Sequence, residues 1–219
     1  MSMTALAVPA VERACAGIAD DGYAIVPEFL PRPVVTALDA EAHRREAAGD
    51  FRPAGIGRGN RRVERSDIRG DRILWLDEDT RIPAERAAFD ALECLRIALN
   101  RELFLGLLTF EGHYALYPPG ASYRRHRDRF RDDGARVVSC ALYLNATWRE
   151  AYGGALRIYL DEGGARDVLP RGGTLACFLA DRYEHEVLPA TRERLALTGW
   201  FRRREQPGMS GTNPGAVLR

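Results

Sequence analysis

Glu193-Arg194-Leu195-Ala196-Leu197-Thr198-Gly199-Trp200-Phe201 is the stretch that decides the fold of this chain. Residues two apart on a β-strand share a face. Arg194, Ala196, Thr198 and Trp200 therefore lie on one side, and Leu195, Leu197 and Phe201 on the other, where they pack an apolar layer. Arg194 points inward among apolar neighbours, where a guanidinium is costly unless a carboxylate meets it. That carboxylate is either an Asp or Glu of the chain or one carried by a ligand. Upstream, short apolar runs recur between turn signals at Pro118-Pro119-Gly120, Asp132-Asp133-Gly134, Gly153-Gly154, Gly163-Gly164 and Gly172-Gly173. Strands at that spacing, from about 110 to 201, indicate a β-sandwich or barrel.

The first half reads differently. Val11 to Asp20 is expected to be a short helix ended by Asp21-Gly22, followed by a strand at Tyr23-Ala24-Ile25-Val26. Pro31-Arg32-Pro33 starts a helix to about Ala48, with Gly49 as its stop. The segment 51–70 is polar and Gly-rich without helical period, which reads as a long loop or twisted hairpin. Arg72 to Leu76 is strand-like, and Pro83 to about Leu103 carries Ala87, Leu92, Leu95 and Leu99 at helical spacing. Helices first and strands after favour an all-β core buttressed by N-terminal helices.

Composition narrows the function classes. The chain has 219 residues, 46% of them hydrophobic and 29% charged, which suits one soluble domain. A net charge of +1 gives no argument for nucleic acid or membrane surfaces. No apolar run approaches the ~20 residues needed to cross a bilayer, and the first ten residues lack a basic segment of the secretion-signal kind. The four cysteines, Cys15, Cys94, Cys140 and Cys177, are dispersed and read as reduced buried thiols. A monomeric cytoplasmic protein is expected. All 32 basic residues are Arg, which reads as coding bias, so only Arg at special positions counts.

The special positions share one chemistry. Tyr123-Arg124-Arg125-His126-Arg127-Asp128 supplies a His-x-Asp pair, which strand alternation places on one face. His185 follows in Tyr183-Glu184-His185-Glu186-Val187, in a chain with only four His, and Arg194 comes nine residues later. Two imidazoles and a carboxylate form the facial set that holds non-haem Fe(II) and leaves the opposite face open. An Arg beyond them can grip the carboxylate of a keto acid with two parallel hydrogen bonds.

These motifs also carry a resemblance. Tyr117-Pro118 with Gly120, the His126-x-Asp128 segment, Val137 to Asn145, Trp148 and Gly153-Gly154-x-Leu156-Arg157-Ile158 appear in the order of the prolyl-hydroxylase-domain oxygenases. His185-Glu186-Val187-x-Pro189, Arg194 to Trp200, and upstream Asp67 to Trp75 complete a likeness over about residues 67 to 202. Gly199, where animal members carry a larger residue, and His113 in the pocket-side strand depart from it.

The resemblance implies a mainly β fold, a double-stranded β-helix (jelly roll) buttressed by N-terminal helices. Length and composition lead to the expectation of a single domain over 1–204, with a helical and loop part at 1–103 and the jelly-roll core at 104–204, and of a disordered tail at the Pro- and Gly-rich 205–219. The resemblance implies Fe(II) on His126, Asp128 and His185, and 2-oxoglutarate on Arg194 with help from Tyr143 and Thr198, in a pocket lined by Tyr117 and Leu156. Tyr143 is otherwise a core aromatic. Asp71 and Arg136 are expected to form an ion pair, with Arg69, Trp75 and Trp200 bordering the prolyl site, although Trp75 also suits plain packing. The implied reaction uses O2, yields hydroxyproline, succinate and CO2, and can be supported by ascorbate. Bacterial members similar to this chain act on a switch-loop proline of elongation factor Tu, which makes that protein the first expected substrate. The segment 55–70 is the expected lid, its Arg58, Arg61, Arg62 and Arg65 either meeting acidic groups of a protein substrate or merely solvated. Two other readings stay open. One is the same chemistry on free proline, a peptide or a natural product; the other is a non-catalytic metal- or keto-acid-binding sensor.

Overall fold

A computed structural model of the chain describes residues 3–55, 65, 67–128 and 135–204, with side chains from Val8 onward. The expected lid at 55–70 and the tail at 205–219 fall largely or wholly outside the described residues. Helix α1 (Met3–Asp20) begins well before Val11. Pro9 lies inside it, so one lost backbone hydrogen bond does not end this helix. Its buried stripe is Ala10, Val11, Ala14, Cys15 and Ile18. Strand β1 (Tyr23–Val26) and helix α2 (Arg32–Ala47) follow, the latter entered through Pro31 in extended backbone. A two-residue strand, β2 (Arg52–Pro53), pairs with β3 (Arg72–Trp75), which gives the 51–70 region a hairpin-like base. Helix α3 (Pro83–Leu103) opens on a proline whose fixed φ suits the first turn, and buries Ala88, Leu92, Leu95 and Leu99.

Eight further strands complete the fold: β4 (Thr109–Tyr117), β5 (Tyr123–His126), β6 (Arg136–Tyr143), β7 (Leu156–Tyr159), β8 (Ala165–Val168), β9 (Leu175–Leu179), β10 (His185–Val187) and β11 (Arg194–Arg202). They divide into a seven-stranded sheet of order β1-β9-β6-β11-β4-β3-β2 and a four-stranded sheet of order β5-β10-β7-β8. The pairings within both are antiparallel. The chain switches repeatedly between sheets from β4 to β11, as a jelly roll requires.

Two apolar layers follow from the strand period. Leu195, Leu197 and Phe201 join Phe110, Tyr114, Leu116, Leu142 and the helical leucines in one buried cluster. Ala196 of the same strand belongs to the other cluster, with Ala115, Tyr117, Ala141 and Tyr143 from the large sheet and Leu156, Ile158 and Val187 from the small one. The first layer glues the helices to the sheet, and the second lies between the sheets. Gly199 is opposite Gly112 on β4. A methyl group there would come within 2.6 Å of the Phe110 ring and 2.9 Å of the Gly112 Cα. The small residue at 199 thus leaves room for Phe110. Among the described residues no helix is long and apolar enough to cross a membrane.

Candidate metal and keto-acid site

His126 closes β5 and His185 opens β10, and the two residues are direct antiparallel partners. Their ring centroids are 4.3 Å apart. Asp128 lies just past the end of β5, in a bend and not in the strand. Strand alternation therefore explains His126, whereas the bend delivers Asp128. Its oxygens sit 3.5 Å from His126 Nε2 and 3.6 Å from His185 Nε2, and one donor atom from each of the three residues falls within a 4.8 Å sphere of mutual distance. That is a donor set for one cation, with two neutral nitrogens and one carboxylate oxygen.

The surroundings prepare each donor. His126 Nδ1 is 2.7 Å from the Arg124 carbonyl, an acceptor only, so Nδ1 carries the proton and Nε2 keeps its lone pair. Tyr123 stacks on the His126 ring at 3.6 Å, and Phe178 covers His185 at 4.7 Å. Burial pushes His185 down to about 4, which keeps its imidazole neutral at physiological pH. Burial opposes the Asp128 charge, but His185, His126 and Ser139 together hold the carboxyl well below its usual range. The Ser139 hydroxyl donates to Asp128 Oδ2 at 2.7 Å. Outward-facing Arg125 is tied to Glu184 at 2.8 Å and does not face the cluster.

Arg194 lies deeper in the same cavity and is only 2% exposed. Its Nε donates to the Gly154 carbonyl at 3.1 Å. Gly154 has φ +72°, and a methyl group on it would press within 2.9 Å of Ala190 and 3.0 Å of Trp148, so glycine allows the carbonyl this approach. No Asp or Glu among the described residues lies within salt-bridge distance of Arg194, which removes the internal ion pair as the explanation for its burial. Two phenols flank it, with the guanidinium carbon 5.0 Å from the Tyr117 ring centre and 5.1 Å from that of Tyr143. The buried Tyr143 hydroxyl makes no well-formed hydrogen bond among the described residues, and its polar neighbour is the Arg194 guanidinium. A plain core tyrosine would turn its hydroxyl to a well-placed acceptor instead. A guanidinium without a carboxylate, beside a phenol whose hydroxyl faces it, fits the end of a dicarboxylic acid, and the donor triad fits Fe(II). Leu156 and Thr198 also line the cavity.

At the rim the expectations need correction. Asp71 does not pair with Arg136. Both of its oxygens accept from Arg69, at 2.7 and 2.9 Å, in a pair whose Asp side chain is fully buried. Arg136 instead lies 3.4 Å over the Trp200 ring and 3.5 Å from Glu111. The sequence separation explains the outcome: Arg69 and Asp71 are two apart and share a face of one extended segment. Arg69 and Trp200 line the cavity. Trp75 is 45% exposed and leans on His113, outside the cavity wall. Tyr123 and Ser139 were not assigned roles by sequence reasoning. Ser139 had a usable signal, a hydroxyl on the same β6 face as Ala141 and Tyr143.

Residues 112–202 match the family described as the 2OG-Fe(II) oxygenase superfamily. The human prolyl hydroxylase EGLN3 is 30% identical over 195 residues, spanning 82% of this chain and 78% of that protein. The chain belongs to the prolyl hydroxylases of that superfamily. The chain is also similar to a crystal structure of a Pseudomonas putida prolyl-4-hydroxylase, at 48% identity and a TM-score of 0.81 over 89% of this chain and 99% of that one. A prolyl hydroxylase from Trichoplax adhaerens, solved with a peptide fragment of the hypoxia inducible factor oxygen degradation domain, gives 28% identity and a TM-score of 0.78 over 88% of each chain. The chain spans about half the length of the Egl nine homolog 1 proteins it matches, 55% in Rattus norvegicus at 30% identity.

Proposed function

We propose that this protein is an Fe(II)- and 2-oxoglutarate-dependent prolyl 4-hydroxylase acting on a proline within another protein. The observation that carries the reading is Arg194, a buried guanidinium with no carboxylate partner among the described residues, beside the Tyr143 hydroxyl and in one cavity with His126, Asp128 and His185. In this reading the triad holds Fe(II), and Arg194 with Tyr143 and Thr198 holds the distal carboxylate of 2-oxoglutarate, with Tyr117 and Leu156 as pocket walls. Iron held there would supply oxidative decarboxylation, in which 2-oxoglutarate would give succinate and CO2, with one atom of O2 entering succinate and the other replacing a prolyl C–H by C–OH. The chain's own part is to hold the prolyl ring beside the open metal face and keep water away. Trp200, Arg69 and Arg136 border the opening through which that ring would come, with Asp71 holding Arg69.

A protein substrate is supported by likeness to the hydroxylase solved with a protein-derived peptide. Elongation factor Tu is the first candidate, because the bacterial oxygenases this chain resembles act on it. The test is incubation of the enzyme with Fe(II), 2-oxoglutarate and elongation factor Tu, or a bacterial lysate, followed by peptide mass spectrometry. One oxygen gained on a proline supports the reading. Turnover confined to free proline or small metabolites would sink the protein-substrate part of it, and no 2-oxoglutarate turnover at all would sink the whole.

A further inference from the structure

His113 sits on β4 within the cavity wall and has no role in the reading above. It is 1% exposed, and neither ring nitrogen has a hydrogen-bond partner among the protein groups. A buried imidazole with both nitrogens unpaired is rare and unfavourable, so its presence calls for a partner that arrives from outside. The ring packs against two indoles, 4.7 Å from Trp75 and 5.5 Å from Trp200, which are themselves 6.4 Å apart. These tilted contacts on one side of the ring limit how far it can turn.

Its place in the register shows which ligand it faces. His113 pairs with Thr198 on one side and with Trp75 on the other, whereas Arg194 pairs with Tyr117. Four residues of strand, roughly 13 Å, separate the two levels of the cavity. Arg194 occupies the deep end, and His113 lies beneath the half-exposed Trp75 at the rim. Burial, with Arg69 and Arg136 nearby, pushes His113 down to about 3, so the ring is neutral and offers one N–H donor and one lone pair. Asp71 and Asp128 act on the ring against the two arginines, so the surroundings are not simply cationic; the partner that the N–H itself requires is an acceptor such as oxygen. A prolyl residue in a peptide has no N–H, and its backbone offers only carbonyl oxygen.

We infer that His113 is a substrate-positioning residue whose imidazole N–H donates to the backbone carbonyl of the target prolyl residue. This rests on the prolyl-hydroxylase reading and adds the group that orients the peptide at the rim. Replacing the ring by one that stacks but cannot donate separates this role from mere packing.

The test compares wild type, His113→Phe and His113→Gln on the proline-containing peptide found hydroxylated in the mass-spectrometric experiment. His113→Phe keeps an aromatic ring against the two indoles and is expected to raise the peptide KM about tenfold, the equivalent of one hydrogen bond. Its affinity for 2-oxoglutarate should stay unchanged, and its Tm without ligand should rise, because two unpaired buried nitrogens are gone. His113→Gln keeps an N–H donor and should stay within about threefold of wild type, by the same hydrogen-bond arithmetic. The inference is overturned if His113→Phe takes the peptide as wild type does, if Gln loses as much as Phe, or if 2-oxoglutarate affinity falls in step. A wild-type enzyme inert toward every prolyl peptide overturns the prolyl reading and this inference with it, an outcome distinct from the variant results.

Discussion

Arg194→Met is the sharpest test of the keto-acid site, because it removes the guanidinium and keeps most of the volume. In the ligand-free protein little should be lost: Arg194 has one carbonyl acceptor at 3.1 Å and no carboxylate, so its burial is only partly compensated. With ligand the loss should be large. A bidentate contact to a carboxylate comprises two charge-assisted hydrogen bonds, and removing it costs about 2.7 kcal/mol, or about 100-fold in Kd. Calorimetry with Mn(II) in place of iron reads this directly. At a 2-oxoglutarate concentration of about 100 times the wild-type Kd, the ligand stabilises wild type by about 2.7 kcal/mol and the variant by about 0.4 kcal/mol. For a chain of this size that is a Tm increase of about 5–11 °C for wild type and about 1–2 °C for the variant. A variant that keeps the full wild-type shift would refute the assignment of Arg194 to the cosubstrate carboxylate.

Three further outcomes follow from the site. His126→Ala or Asp128→Ala should abolish Fe(II) retention and 2-oxoglutarate turnover while the circular dichroism spectrum stays native; metal analysis of the purified variants decides it. Ser139→Ala removes the 2.7 Å hydrogen bond to Asp128 Oδ2 and should weaken metal binding by about 10–100-fold, as partners of metal ligands typically do, with the fold intact. The metal-free protein should lose stability as pH falls below about 6.5. His185 and His113 sit near 4 and 3 in the folded state, so over that window the unfolded chain binds the extra protons. Each contributes a slope of up to about 1.36 kcal/mol per pH unit. Urea titrations from pH 7 to pH 4 should show a shallower slope for His113→Phe, and an unchanged slope would contradict a buried neutral His113.

The site was legible where it depends on local period and short spacing. Arg194 to Trp200 alternate in one strand, so their inward face could be read from the chain, whereas the convergence of His126 with His185 on a distant strand was implied only by the family resemblance. The α3 helix was equally readable, from its apolar spacing and its opening proline. Legibility failed where partners come from separate elements of similar chemistry. Asp71 had two arginines to choose from, and the chain preferred Arg69, two residues away on the same extended segment, over Arg136. Asp128 sits in a bend whose direction no alternation rule describes. The start of α1 was misplaced, because the chain before Val11 is already helical and the helix runs through Pro9.

By itself, then, the sequence determined the element types and the inward face of Arg194, because these depend on residue identity and on periods of 2 and 3.6. Only the tertiary structure decided what those groups lack. That Arg194 has no carboxylate partner among the described residues, that the Tyr143 hydroxyl faces it and that both nitrogens of His113 go unpaired beside Trp75 and Trp200 are facts of long-range pairing. Unmet hydrogen bonds belong to the space between two sheets, and that space exists only once strands distant in the chain have packed.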